Sequence, residues 1–174
     1  HVGYAIISLG CGNQIGIQAC LLYIIVYMLT SIYLWGLVLH LEANNKNRTR
    51  YLVDFIQLFE TNPVLGWTSI LVIFSLAGIP PLGGFFAKLG VFIAVFDASF
   101  YFIGVLALLF SAISIIYYLG LIKNISIEKR KAWTSVTPLS KPMAWAIGIS
   151  AFTLIFFVFF ADFFYLVTYN IALL

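Results

Sequence analysis

Ser75-Leu-Ala-Gly-Ile-Pro-Pro-Leu-Gly-Gly-Phe-Phe-Ala-Lys88 sets an ionisable side chain just after a cluster of helix breakers, inside an otherwise apolar stretch. Lys88 is the only Asp, Glu, Lys or Arg between Thr61 and Phe96. An ammonium at membrane depth costs about 2.5–3.5 kcal/mol on insertion scales, so such a residue is kept for function more often than for packing. Gly78, Pro80, Pro81, Gly83 and Gly84 interrupt the backbone ladder just before it. Non-helical backbone survives at that depth only where protein or water satisfies its polar groups. A charge beside a broken helix points to ion transport.

Outward from this segment, the whole chain reads as membrane. Of its residues 63% are hydrophobic and 9% charged, and the mean hydropathy is +1.09. Stretches free of Asp, Glu, Lys and Arg cover 1–41, 61–87, 98–122 and 142–161. Each exceeds the ~18 residues that mark a spanning helix. Runs such as Leu21-Leu-Tyr-Ile-Ile-Val do not alternate in polarity, which excludes a β-barrel. The predicted fold is an all-α integral membrane domain over 1–174, with one partial and four complete spans. The partial helix covers about 1–9. The complete ones cover 15–39, 64–96 (discontinuous, broken at 78–84), 100–122 and 143–161. Pro63 suits the first turn of the broken span, because its missing N–H is unpaired there in any case.

Residues 1–9 are too short to cross a bilayer. Either a separate chain or an N-terminal segment outside this sequence is therefore expected to supply the missing half.

Topology follows from the basic residues. Segments 40–62 and 123–141 carry Lys46, Arg48, Arg50, Lys123, Lys129, Arg130, Lys131 and Lys141, and the ninth basic residue is Lys88. With both segments on one side, the opposite side has none, a strong positive-inside signal. Trp35, Trp67 and Trp145 fall near helix ends on the basic side, where an aromatic belt belongs.

Few residues carry chemistry. Counting back from Asp97 at ~1.5 Å per residue puts Lys88 about 13 Å inside the membrane, near the middle. Burial and the positive end of the second half-helix disfavour its charged form, while the carbonyls ending the first half-helix favour it. Such opposed influences suit a group that both takes and releases a proton. The plain alternative is a lysine that snorkels or pairs with a buried acid; its depth and the adjacent break weigh against snorkelling. Tyr23, Tyr27 and Thr30 recur on one helical face, and Ser111, Ser114 and Tyr118 do so on another. These hydroxyls either line a hydrated path or simply bond across helices and to their own backbone. His40 and Asp162 read as interfacial residues at span ends, with proton entry and exit as their lesser alternatives. Cys11 and Cys20 form no metal-binding pattern, so they read as structural thiols, and neither a nucleotide-phosphate motif nor a nucleic-acid surface is present.

The segment Leu76–Lys88 closely resembles the discontinuous helix of the antiporter-like membrane subunits of respiratory complex I, NADH:ubiquinone oxidoreductase. His1-Val-Gly-Tyr4, Gly16-Ile-Gln-Ala, Leu22-Tyr-Ile-Ile-Val-Tyr27, Asp54–Pro63 and Tyr117-Tyr-Leu-Gly-Leu-Ile-Lys123 are similar to the subunit 2 branch of that family, in its C-terminal part. The resemblance implies a fourteen-helix fold of two inverted repeats, of which this chain matches the last five helices. It implies that Lys88 is the proton-carrying lysine of the second broken helix. It places the chain in a mitochondrial inner membrane, amid lipids and other complex I subunits; the positive-inside signal, which would otherwise mark the cytoplasmic side, then puts segments 40–62 and 123–141 on the matrix side and the C-terminus facing the intermembrane space. NADH, FMN, iron–sulfur clusters and ubiquinone are expected on other subunits; no cofactor or metal is expected here. The rivals are a subunit of an independent cation/proton antiporter and a structural fragment that does not pump.

Overall fold

A computed structural model describes residues 1–44, 62–126 and 139–173. Among them are seven helices and no strand: α1 (Val2–Gly10), α2 (Gln14–Asn44), α3 (Pro63–Ala77), α4 (Gly83–Asp97), α5 (Tyr101–Ser126), α6 (Lys141–Ile155) and α7 (Phe157–Ala172). The described residues are thus all-helical, in a membrane protein. Residues 45–61 and 127–138, which carry most of the basic side chains behind the topology reading, lie outside the described residues.

The turn after α1 is local chemistry. Gly12 takes φ 67°, and the Asn13 side chain accepts the Gly16 N–H at 2.8 Å, starting α2. The Asn13 amide also donates to Asp97 at 3.0 Å, tying this turn to the end of α4. Gln14–Leu41 of α2 and Tyr101–Lys123 of α5 are long and apolar enough to cross a membrane. α2 is the central element and packs against α4, α6, α1 and α7, whereas α5 is peripheral and contacts chiefly α3. Leu22, Val91, Val95, Leu154 and Phe157, all fully buried, form the core where α2, α4 and the α6–α7 corner meet.

α3 begins on a cap. Asn62 accepts the Leu65 N–H at 3.2 Å, and Pro63 occupies the first helical position. It ends at Ala77 because Gly78 turns left-handed, φ 86°. The Gly78 N–H then returns to Ser75 at 2.9 Å and the Ile79 N–H to Phe74 at 3.1 Å, the paired closing bonds of a Schellman motif. Pro80 and Pro81 follow, and helix resumes at Gly83. At 15 residues each, α3 and α4 are about 22 Å long, so neither crosses a ~30 Å core alone.

The last span departs from the sequence reading of one helix over 143–161. α6 stops at Ile155, and α7 leaves it at 89°. No glycine or proline stands between Ile149 and Leu174, so local propensity gives no warning. The physical reason is tertiary. Phe157 is fully buried, stacks on Phe164 at 5.1 Å and 9°, meets Phe86 at 5.7 Å, and lies against the bare face of Gly83. Asp162, expected where that span ended, lies inside α7 and is exposed. His40, expected at an interface, is buried at the far end of α2.

Candidate functional site

Lys88 stands in the second turn of α4, and only 6% of it is exposed. Its Nζ donates to the Ala77 carbonyl at 2.9 Å, and the Ser111 hydroxyl lies at 3.5 Å. The last carbonyls of a helix have no partner within it and carry the negative end of its dipole. The break therefore exposes an acceptor where the ammonium arrives. Among the described residues no carboxylate pairs with Lys88. Gly78 supplies both the left-handed turn and the room: a Cβ there would meet Lys88 Cδ at 2.9 Å and Nζ at 3.2 Å.

The second half-helix is held against the first by Ser75. Its Oγ accepts the Gly84 N–H at 2.9 Å, serving a helix whose own N-cap residue, Leu82, has no side-chain acceptor. The approach is close enough that a Cβ on Gly84 would fall onto the Ser75 carbonyl. Gly83 is needed for a different neighbour, Phe157. Of the breaker cluster, Gly78 and Gly84 thus shape the lysine site directly, while Pro80 and Pro81 form the connection between the halves.

A cavity of about 20 Å³ opens beside Lys88, bordered by Ser75, His1, Tyr23, Tyr27 and Thr30. The predicted hydroxyl face of α2 is therefore brought to the lysine. The second predicted set divides. Ser111 approaches Lys88. Tyr118 turns instead to His1, and Ser114 spends its hydrogen on its own helix, at the Ser111 carbonyl, 2.7 Å away. Thr30 also bonds its own helix, at Tyr27, but faces the cavity.

His1 is the residue that sequence reasoning missed. Its Nδ1 lies 2.7 Å from the Tyr23 hydroxyl and its Nε2 2.7 Å from that of Tyr118, while its ring stacks on Tyr27 at 5.3 Å. A signal was there: only His1 and His40 in residues 1–41 have side chains that ionise near neutral pH. Tyr4 was also passed over. It donates to the Ala107 carbonyl at 2.8 Å and stacks on Tyr23, closing the same aromatic cluster. Among the described residues no group of His, Cys, Asp and Glu is arranged to hold a metal ion, and both cysteines are free thiols.

The family described as NADH:quinone oxidoreductase/Mrp antiporter, transmembrane, matches residues 1–114. Over 173 residues the chain is 34% identical to NADH-ubiquinone oxidoreductase chain 2 of Marchantia polymorpha, covering 99% of this chain and 35% of that one. It is 37% identical over 131 residues to NADH-quinone oxidoreductase subunit N of Pelagibacter ubique, covering 75% of this chain and 28% of the relative. Among solved structures it resembles a chain of respiratory complex I from Thermus thermophilus, with a TM-score of 0.76, 28% identity, and coverage of 93% of this chain and 36% of the other. The chain thus spans about a third of the length of the curated relatives it matches.

Proposed function

Because this chain belongs to the NADH:quinone oxidoreductase/Mrp antiporter family of membrane subunits, we propose that it is the C-terminal portion of a proton-translocating complex I subunit, with Lys88 as its proton carrier. The observation that supports this is the buried Lys88 ammonium on the free Ala77 carbonyl, beside a cavity that His1 also lines. The protonated amine donates to Ala77; the neutral amine has a lone pair for the next proton. His1 continues the path. A neutral imidazole donates from one nitrogen and accepts at the other, so a ring held between two hydroxyls takes a proton on one side and releases one on the other. Tyr23 and Tyr118 are those hydroxyls.

In this reading the chain holds no redox centre. NADH, FMN, iron–sulfur clusters and ubiquinone are bound by other subunits, and quinone reduction there is coupled to protonation here. Another membrane segment, either a separate chain or an N-terminal part of the same subunit, covers His1–Leu9 and carries a second broken helix. The membrane is the mitochondrial inner membrane, with segments 40–62 and 123–141 in the matrix and the C-terminus in the intermembrane space, as the charge asymmetry favours. The similarity to NADH-ubiquinone oxidoreductase chain 2 of Marchantia polymorpha and of Arabidopsis thaliana supports that reading.

An independent cation/proton antiporter is the second reading, because the family's description names both. Purification through a tag on this chain separates them. Co-purification with NADH-oxidising, quinone-reducing activity is the expected result. A small assembly that transports sodium and has no NADH oxidation contradicts it.

A further inference from the structure

Serines and threonines buried in a helix usually spend their hydroxyl hydrogen on a carbonyl three or four residues back. In this protein Ser8, Thr30, Ser69, Ser150 and Thr168 all do so, at 2.7–2.9 Å. Ser75 does not. It is fully buried, and among the described residues its one side-chain bond is the one it accepts from the Gly84 N–H. A serine hydroxyl has one hydrogen to give and two lone pairs, so its donor is uncommitted. A buried donor without an acceptor is costly. The open space next to Ser75 is the cavity it shares with Lys88, His1, Tyr23 and Tyr27. At about 20 Å³ that cavity admits the centre of one water, which needs two to four polar partners.

We infer that Ser75 has two tasks at the break: its oxygen caps the second half-helix, and its hydroxyl hydrogen fixes one water between Lys88 and His1. The inference rests on Lys88 being the proton carrier. Ser75 is a positioning residue. It neither gains nor loses a proton overall; it orients the water that takes the proton leaving the ammonium and passes one to the Tyr23 hydroxyl, which gives its own hydrogen to the His1 Nδ1 it already contacts, Lys88 becoming the neutral amine and His1 the cation. A freely turning water presents a lone pair to Lys88 only part of the time, whereas one held by Ser75 presents it continually.

The two tasks are separable in the intact complex. Ser75→Ala removes both. Adding Leu82→Ser restores a cap from the extended N-cap position of α4 (φ −81°, ψ 159°), as serine does there, without returning a hydroxyl to the cavity. Each variant is read for thermal stability of the assembly and for NADH-driven proton pumping, against Leu82→Ser alone. We expect Ser75→Ala to slow pumping roughly tenfold, the weight of one lost hydrogen bond. Leu82 is itself buried, so the cap is read within that background: we expect Ser75→Thr to retain most of the rate, and Ser75→Ala to cost less stability beside Leu82→Ser than alone while still losing pumping. Pumping that returns with stability in the double variant overturns the inference and leaves Ser75 a cap. If Ser75→Ala does not assemble, a water-resolving map of the wild-type complex decides. A water bonded to both Ser75 Oγ and Lys88 Nζ supports the inference; a site without one overturns it. Full pumping in Ser75→Ala alongside none in Lys88→Met removes this inference alone, whereas full pumping in Lys88→Met removes the reading beneath it.

Discussion

Between Ala77 and Gly83, and again at Phe156, a helix is interrupted, and the two interruptions are built from opposite materials. The first is made of glycine and proline. It leaves the Ala77 carbonyl open and satisfies it with a lysine, and it satisfies the Gly84 N–H with a serine from the other half. The second is made of phenylalanine. Its backbone bonds resume within a residue, Phe156 N–H to Phe152 and Phe159 N–H to Phe156, both at 3.0 Å, and a buried ring fills the corner. A break by glycine and proline creates polar groups that need partners and space next to the backbone. A break by aromatic packing closes on itself. Only the first kind holds a charge in an apolar medium, and the one buried ammonium among the described residues is there.

The largest effect on stability is expected at the second break. Phe157→Ala removes the ring that Gly83, Phe86 and Phe164 enclose and should cost about 3–5 kcal/mol, with α7 released from its angle to α6. Thermal unfolding and a structure of the variant check this. A bend that persists near 89° with little loss of stability would break the aromatic account.

At the first break the sensitive position is Gly84. Gly84→Ala drives a methyl onto the Ser75 carbonyl, a backbone atom that cannot step aside, and should cost about 1–3 kcal/mol. Gly148→Ala on α6 is its counterpart. A Cβ there meets nothing within 4 Å, so helix propensity alone acts and the change should stabilise by up to about 1 kcal/mol. Equal losses at both glycines, measured by thermal unfolding, would mean that the close approach of the half-helices is not what Gly84 serves.

The smallest effect is expected where α3 is tied to α2. Tyr33 is fully buried, and its hydroxyl lies 2.8 Å from Thr68 and 2.9 Å from Ser69. Tyr33→Phe should cost about 0.6 kcal/mol, typical of such bonds within membranes, and leave pumping intact. Pumping lost without loss of assembly would make this hydroxyl cluster part of the proton path, and would extend the polar character of the first break further along α2.

The contrast between the breaks also explains what the sequence made legible. Gly78, Pro80 and Pro81 act through their own backbone, so the interruption is readable within a window of a few residues. Lys88 is readable for the same reason, as a lone charge in an apolar run. The helical spacing of Tyr23, Tyr27 and Thr30 placed them on one face, and that face borders the cavity. Spacing says nothing of where a hydrogen goes, which is why Ser114, equally well spaced, turned out to be bonded to its own helix. The bend at Phe156 was not legible, because its cause lies in Gly83 and Phe86, some seventy residues away. His1 escaped for a similar reason: its partners, Tyr23 and Tyr118, belong to two other helices.

The central claim is that the first break exists to hold a proton-carrying amine, and Lys88→Met in the assembled complex addresses it most directly. Methionine keeps the length and apolar volume of the side chain and removes the ammonium. NADH-driven acidification by sealed vesicles should fall severely while the complex still assembles. Lys88→Arg should not restore it fully, because a guanidinium does not release its proton at accessible pH. Wild-type acidification and turnover in the Lys88→Met complex would contradict the account.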